Sequence, residues 1–253
     1  MSVASVRILG FVLFAFLAMV AAARADEASD LVAKNLAARG GADKLAAITS
    51  LEFTGKIVEP GDFQLAYKAT RARKNGSTRI EASLQGLTLV QGYDGNVGWR
   101  INPFEGRRDA ERMSNDATHE LADQASIDGP LLSAKARGAT VTYLGREDFE
   151  GTDAYKLRIV EPSGVQYVSF LDPDTYLEIR TEETRVLRGA KHVTLSQFAD
   201  YERVDGVYFP FAIESGDLGS GPADRQKVIV DHARANVPAD DVLFTLPTTA
   251  GTK

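Results

Sequence analysis

From Leu51 onward, apolar and polar residues alternate with period two in short runs separated by turn residues. This pattern restricts the chain to a mainly antiparallel sheet. Leu51, Phe53, Gly55 and Ile57 alternate with Glu52, Thr54 and Lys56; Phe63, Leu65, Tyr67 and Ala69 alternate with Gln64, Ala66 and Lys68. The same beat returns in Thr78, Ile80, Ala82 and Leu84, and in Tyr155, Leu157 and Ile159. Successive strand side chains point to opposite faces, so each run places one apolar row on one face and leaves the other wet. Glu59-Pro60-Gly61, Lys74-Asn75-Gly76, Tyr93-Asp94-Gly95-Asn96, Pro162-Ser163-Gly164, Asp172-Pro173-Asp174 and Val204-Asp205-Gly206 supply the reversals. The spacing predicts roughly ten or eleven strands in one sheet curled toward a barrel or half-barrel.

Helical spacing appears in two places. Ala28, Leu31, Val32, Asn35 and Leu36 predict an amphipathic helix within Glu27 to Ile48, broken at Gly40-Gly41. A second, from Met113 to about Ile127, is capped by Ser114 and carries Ala117, Leu121, Ala122 and Ala125; Asp128-Gly129-Pro130 is expected to end it. The fold class is therefore mainly β with α, with helices covering the concave face of the sheet.

The first residues bear on compartment. Arg7 precedes thirteen apolar residues, Ile8 to Val20, and Ala23-Arg24-Ala25 offers a small-x-small cleavage pattern. Residues 1–25 read as a signal peptide and 26–253 as a single mature domain in the periplasm. The alternative, an uncleaved anchor, needs about 20 apolar residues to cross a bilayer. No later segment is apolar enough to span a membrane, so no integral membrane segment is expected in the mature chain.

Removing Arg7 and Arg24 leaves 27 basic against 35 acidic residues, a net charge of −8. That balance disfavours nucleic acid, whose binding relies on clustered Lys and Arg. Cysteine is absent, which excludes disulfides, thiolate nucleophiles and an N-terminal lipidated Cys.

Several phrases carry a resemblance: Leu31-Val32-Ala33-Lys34-Asn35 with Gly40-Gly41 and Leu45; Tyr93-Asp94-Gly95 followed by Gly98-Trp99; Asp172-Pro173-Asp174-Thr175-Tyr176-Leu177; and Val204-Asp205-Gly206-Val207-Tyr208-Phe209-Pro210. Together they resemble the LolA-like superfamily of outer-membrane lipoprotein-sorting proteins over nearly the whole mature chain. The resemblance implies an open half-barrel of about eleven strands, with helices over its concave side and an apolar cavity for acyl chains. The longer, charged middle from Asn102 to Arg112 departs from the lipoprotein carriers.

The candidate ligand-binding residues are the apolar rows and the helix cover: Phe53, Phe63, Leu65, Tyr67, Leu84, Leu89, Trp99, Phe104, Leu121, Phe170 and Phe211. Periodicity shows which residues share a face, and not whether protein or ligand fills it. Trp99, following a hairpin turn, suits a cavity mouth. Arg71 and Arg73 share a strand face and are head-group candidates through paired donors, while Arg100, Arg107, Arg108 and Arg112 gather near the middle loop. One sixteen-carbon chain offers on the order of 12 kcal/mol against association costs of roughly 4–15 kcal/mol, consistent with reversible binding.

Catalytic signatures are missing. His119, His192 and His232 are far apart and outside any metal-ligand spacing, Gly219-Ser220-Gly221 lacks the nucleophile-elbow context, and no glycine-rich phosphate cradle opens a helix. No catalytic residue, metal site or cofactor is expected. The sequence thus predicts a binding or carrier protein, not an enzyme, whose partner is a lipid or acylated ligand, with an envelope membrane protein as a candidate partner. Two alternatives are an envelope interaction or stress-sensor module that binds a protein with the same cavity, and a hydrolase with an unrecognised site.

Overall fold

The computed structural model describes residues 26–247 except Arg188; the expected signal peptide lies outside the described residues. A helix over residues 26–39 (α1) and a short one, Ala42–Ala47 (α2), precede the sheet. Six strands follow: β1 (Ser50–Glu59), β2 (Phe63–Ala72), β3 (Ser77–Leu84), β4 (Leu87–Tyr93), β5 (Gly98–Asn102) and β6 (Arg107–Arg112). Helices α3 (Asn115–Gln124) and α4 (Gly129–Ser133) separate these from β7 (Thr140–Phe149), β8 (Thr152–Val160), β9 (Gln166–Leu171), β10 (Glu178–Leu187), β11 (Ala190–Val204), β12 (Val207–Asp217) and β13 (Gln226–Ala235).

All thirteen strands form one sheet in the order β6-β5-β4-β3-β2-β1-β13-β12-β11-β10-β9-β8-β7. Every neighbouring pair is antiparallel, including the first and last strands, β1 and β13. The chain meanders outward to the β6 edge, crosses the full sheet, and meanders back from the β7 edge. That crossing obliges α3 and α4 to lie over one face, here called the inner face.

Thirteen strands replace the expected eleven. All six predicted turns reverse the chain, but β6, with sequence Arg-Arg-Asp-Ala-Glu-Arg, has no apolar alternation to reveal it. It is an edge strand paired by the β5–β6 hairpin, where charge protects the free edge. The hairpin turns at Gln85-Gly86 and Glu150-Gly151, all four residues at positive φ, add further reversals.

The helices form where expected, with one correction. Ser114 caps α3, its hydroxyl accepting from the Ala117 amide at 3.3 Å. Asp128-Gly129-Pro130 does not terminate the helical region: Gly129 begins α4 with Pro130 in the first turn, a position where the missing amide hydrogen costs no helical bond. The break between α1 and α2 brings the chain against the β11–β12 turn. A Cβ on Gly40 would stand 2.4 Å from the Gly206 carbonyl oxygen, and Gly40 has φ +124°, so this contact requires glycine.

Two apolar clusters join helices to the inner face. Leu45 and Ile48 pack with Leu51, Phe53, Val207, Phe209, Phe211 and Val230; Ala28, Leu31 and Leu131 pack with Leu157, Ile159, Tyr167 and Leu171. A third cluster, Ile57, Leu65 and Ala82 with Tyr67, Leu84, Leu89 and Val228 around it, contains strand residues alone. The residues after β13 turn onto the outer face, where Trp99 is 0% exposed and donates to the Phe244 carbonyl at 2.6 Å. Among the described residues, no helix is long and apolar enough to cross a membrane.

Candidate functional site

The strand register sorts the predicted site residues by face. Phe53 opposes Ala69, Ile57 opposes Leu65, and Glu59 opposes Phe63 across β1 and β2. Tyr67 opposes Ala82, which opposes Leu89, and Leu84 opposes Leu87. Paired residues share a face, so Phe53, Phe63, Leu65, Tyr67, Leu84 and Leu89 form one inner row. Phe211 joins it from β12 through the cluster it shares with Phe53. Leu121 comes from α3, where it is buried.

The resulting apolar surface, called the trough below, is centred on Ile57, Leu65 and Ala82. It rises to Phe63 and Leu87 at the sheet margin, which are 50% and 38% exposed. Helices pack over the Phe53 end, and the Leu65 end has strand residues alone around it.

Two predicted residues lie elsewhere. Trp99 opposes Gly92, and a Cβ on Gly92 would fall 2.3 Å from the indole. Its ring belongs to the outer face beneath the C-terminal segment, so the expectation that it sits at a cavity mouth is corrected. Phe170 opposes Lys156 and Arg180 and packs with Phe149 at 6.3 Å between centroids, also on the outer face. Sequence alternation identifies two faces for each strand but not which one the helices cover. Phe104, 44% exposed in the short 3-10 turn between β5 and β6, is not part of the trough clusters.

Arg71 and Arg73 share the inner face but differ in their partners. Arg73 donates from Nη1 and Nη2 to the two carboxylate oxygens of Asp128, both at 2.7 Å. It also donates to the Ile48 and Leu45 carbonyls at 2.9 and 3.0 Å, closing the C-terminal end of α2. That fork spends four of its five N–H donors on the protein itself and is structural. Arg71 has a buried Nε with no hydrogen-bond partner, and its guanidinium lies over Phe53, 5.6 Å from the ring centroid. Phe53 meets Phe209 edge-on at 6.0 Å, and Arg39 stacks on Phe209 at 5.1 Å. Arg39 donates to the Tyr208 carbonyl at 2.7 Å. Burial lowers the Arg71 pKa from its ordinary value; Tyr67 opposes that shift and Arg39 adds to it.

Asn35 Oδ1 and Tyr167 Oη are also buried on this side of the sheet without a hydrogen-bond partner among the described residues. Burial raises the Glu178 carboxyl above its ordinary value, against opposing pulls from Arg39 and from hydrogen bonds with the Ser169 and Thr181 hydroxyls. Sequence reasoning missed Arg39, Glu178 and Ser169, since a helical Arg and two strand polar residues carry no distinguishing spacing.

A second concavity of about 410 Å³ lies between α3, the β8–β9 turn and the end of β10, lined by Asp116, His119, Asp123, Arg137, Glu161 and Arg185 among others. Both of its arginines are paired: Arg137 meets Asp123 at 2.7 Å and Glu161 at 2.6 Å, and Arg185 meets Asp123 and Glu183. This network ties α3 to β10. Of the four middle-loop cations, Arg100 and Arg107 are both engaged by Glu111. Of the histidines, His119 lines this cleft and His232 opposes Thr54 on the outer face. Among the described residues, no group of three or more His, Cys, Asp or Glu is arranged to hold a metal ion.

No family model matches the sequence, and no curated protein matches it. Solved structures do. A domain assigned to outer membrane lipoprotein sorting from Vibrio parahaemolyticus superimposes with TM-score 0.57 at 12% identity, over 87% of this chain and 97% of that one. A DUF1329 family protein from Desulfovibrio piger gives 0.59 at 15% identity, over 88% and 97%. A LolA superfamily protein from Nitrosomonas europaea gives 0.54 at 12% identity, over 86% and 97%. At such identities the likeness is one of fold, and the chain has the LolA-like fold.

Proposed function

We propose that the protein is a non-catalytic periplasmic carrier or binding protein that receives a lipid, an acyl chain or a lipidated protein in the inner-face trough. The observation that carries this reading is the third apolar cluster. Ile57, Leu65 and Ala82, with Leu84 and Leu89 beside them, lie on the inner face away from the helix-capped clusters, continuous with exposed Phe63 and Leu87 at the margin. A contiguous apolar surface that opens to solvent on a folded chain is a binding surface in the ordinary physical sense. The LolA-like fold supports the carrier reading, and the signal-peptide pattern in residues 1–25 supports the periplasm.

Native mass spectrometry of the mature protein purified from the periplasm, followed by organic extraction, tests the proposal. A lipid bound near one-to-one is the expected result. A protein that arrives empty and takes up no fluorescent fatty acid overturns it, and a stoichiometric protein partner without lipid favours the envelope interaction module instead.

A further inference from the structure

The deep end of the trough is polar, cationic and incompletely partnered, whereas its margin is apolar. Tyr67 and Arg71 flank Ala69 on the inner row of β2, and their long side chains interact electrostatically over that small, fully buried residue. Arg71 joins no salt bridge among the described residues, and its sealed Nε–H has no acceptor. An unsatisfied buried donor carries a free-energy cost that a ligand acceptor would relieve.

The surrounding charges do not neutralise it. Arg39 stands on the far side of the Phe53–Phe209 pair and joins no salt bridge among the described residues. The Asp128 carboxylate is held by the Arg73 fork. Glu178 lies within electrostatic reach of Arg39, and its burial disfavours the ionised form. At the Phe53 end of the apolar row, Arg39 spends its donors on the Tyr208 and Asp128 carbonyls, and Arg71 alone of the two keeps a buried donor without an acceptor.

We infer that Arg71 is the counter-charge for the carboxylate head of a long-chain fatty acid that enters head-first, leaving its chain along Leu65, Leu84 and Leu89 toward Phe63. A carboxylate is planar and matches a guanidinium edge with two parallel hydrogen bonds. Arg73, already bidentate with Asp128, has no edge left for a ligand. The inference rests on the amphiphile-binding reading and adds the head-group class and the orientation.

The experiment uses delipidated mature protein, [1-¹³C]palmitate, hexadecanol and hexadecyl phosphate. Palmitate should bind about tenfold or more tightly than hexadecanol, equivalent to about 1.4 kcal/mol or more. Arg71→Leu should bring the two to parity, and Arg71→Lys should restore part of the preference. The carboxyl ¹³C resonance of bound palmitate should stay at its ionised position from pH 8 to pH 5, because a sealed carboxylate beside Arg71 does not take up a proton there. Equal binding of palmitate and hexadecanol to the unaltered protein overturns the role of Arg71 while leaving the amphiphile reading in place. A carboxyl resonance that titrates as it does in water overturns the head-first orientation. Binding of neither ligand overturns the amphiphile reading and this inference with it. Hexadecyl phosphate binding in preference to palmitate replaces the carboxylate by a phosphate head. An unchanged circular dichroism midpoint or an increased one for Arg71→Leu shows that lost selectivity is not lost fold.

Discussion

Arg79 and Arg71 sit on neighbouring strands, each with its guanidinium 5.6 Å from an aromatic centroid, Trp99 for Arg79 and Phe53 for Arg71. They face opposite sides of the sheet. On the outer face, Arg79 pairs with Glu81 at 2.7 Å and donates to the Leu243 carbonyl at 3.4 Å, while the Trp99 indole donates to Phe244. On the inner face, Arg71 has no such partners. Two similar cation–π stacks thus have different meanings. Where the remaining donors are satisfied, the stack is a clamp holding the C-terminal segment on the sheet. Where they are not, the stack positions a group for something outside the chain.

The outer stack should be broken at the largest cost. Trp99→Ala opens a cavity against Gly92 and releases Phe244, and should destabilise by about 3–5 kcal/mol, read as a lower urea midpoint. Preserved stability would mean that the C-terminal segment is not clamped there.

Next in size is the Arg73 fork. Asp128→Ala leaves that guanidinium without its carboxylate and should cost about 1–3 kcal/mol, below the value for a fully buried pair because the side chains keep 32% and 26% exposure. Thermal melts of this variant and of Arg71→Leu sharpen the contrast between the adjacent arginines. Arg71→Leu should shift stability by about 1 kcal/mol or less, in the stabilising direction, since it removes a buried N–H that has no acceptor.

Glu178 offers a smaller, pH-dependent effect. Its raised pKa means the folded state binds the proton more tightly than the unfolded state. Stability from the protonated form is therefore complete below the ordinary glutamate pKa of about 4.3 and declines as pH rises toward the folded value. Glu178→Gln should melt higher than the unaltered protein at pH 7 and equally below about pH 4. A difference that persists at low pH would assign the effect to packing.

The smallest change in stability is expected at the trough margin. Phe63→Ser removes a half-exposed ring and should alter stability by about 0.5 kcal/mol or less. Acyl-chain affinity should fall about three- to tenfold as apolar contact is lost. Isothermal titration with palmitate distinguishes this margin role from a core role, in which stability and binding would fall together.

The sequence by itself determined the antiparallel sheet, most of its turns, the helices and the Ser114 cap, because period-two alternation, turn chemistry and capping are local. It also placed Phe53, Leu65, Tyr67 and Arg71 on a common face, since parity along a strand follows from the pleat. Tertiary structure decided which face of each strand the helices cover, and hence that Trp99 and Phe170 lie opposite Leu89 and Tyr67. It decided that β6 exists, since a charged edge strand is recruited by its hairpin and not by burial. Above all, it decided that Arg73 closes onto Asp128, 55 residues away, while Arg71, two residues earlier on the same face, keeps a free donor. Local periodicity does not encode the distant partner of a side chain, and in this protein that partner separates a structural arginine from one available to a ligand.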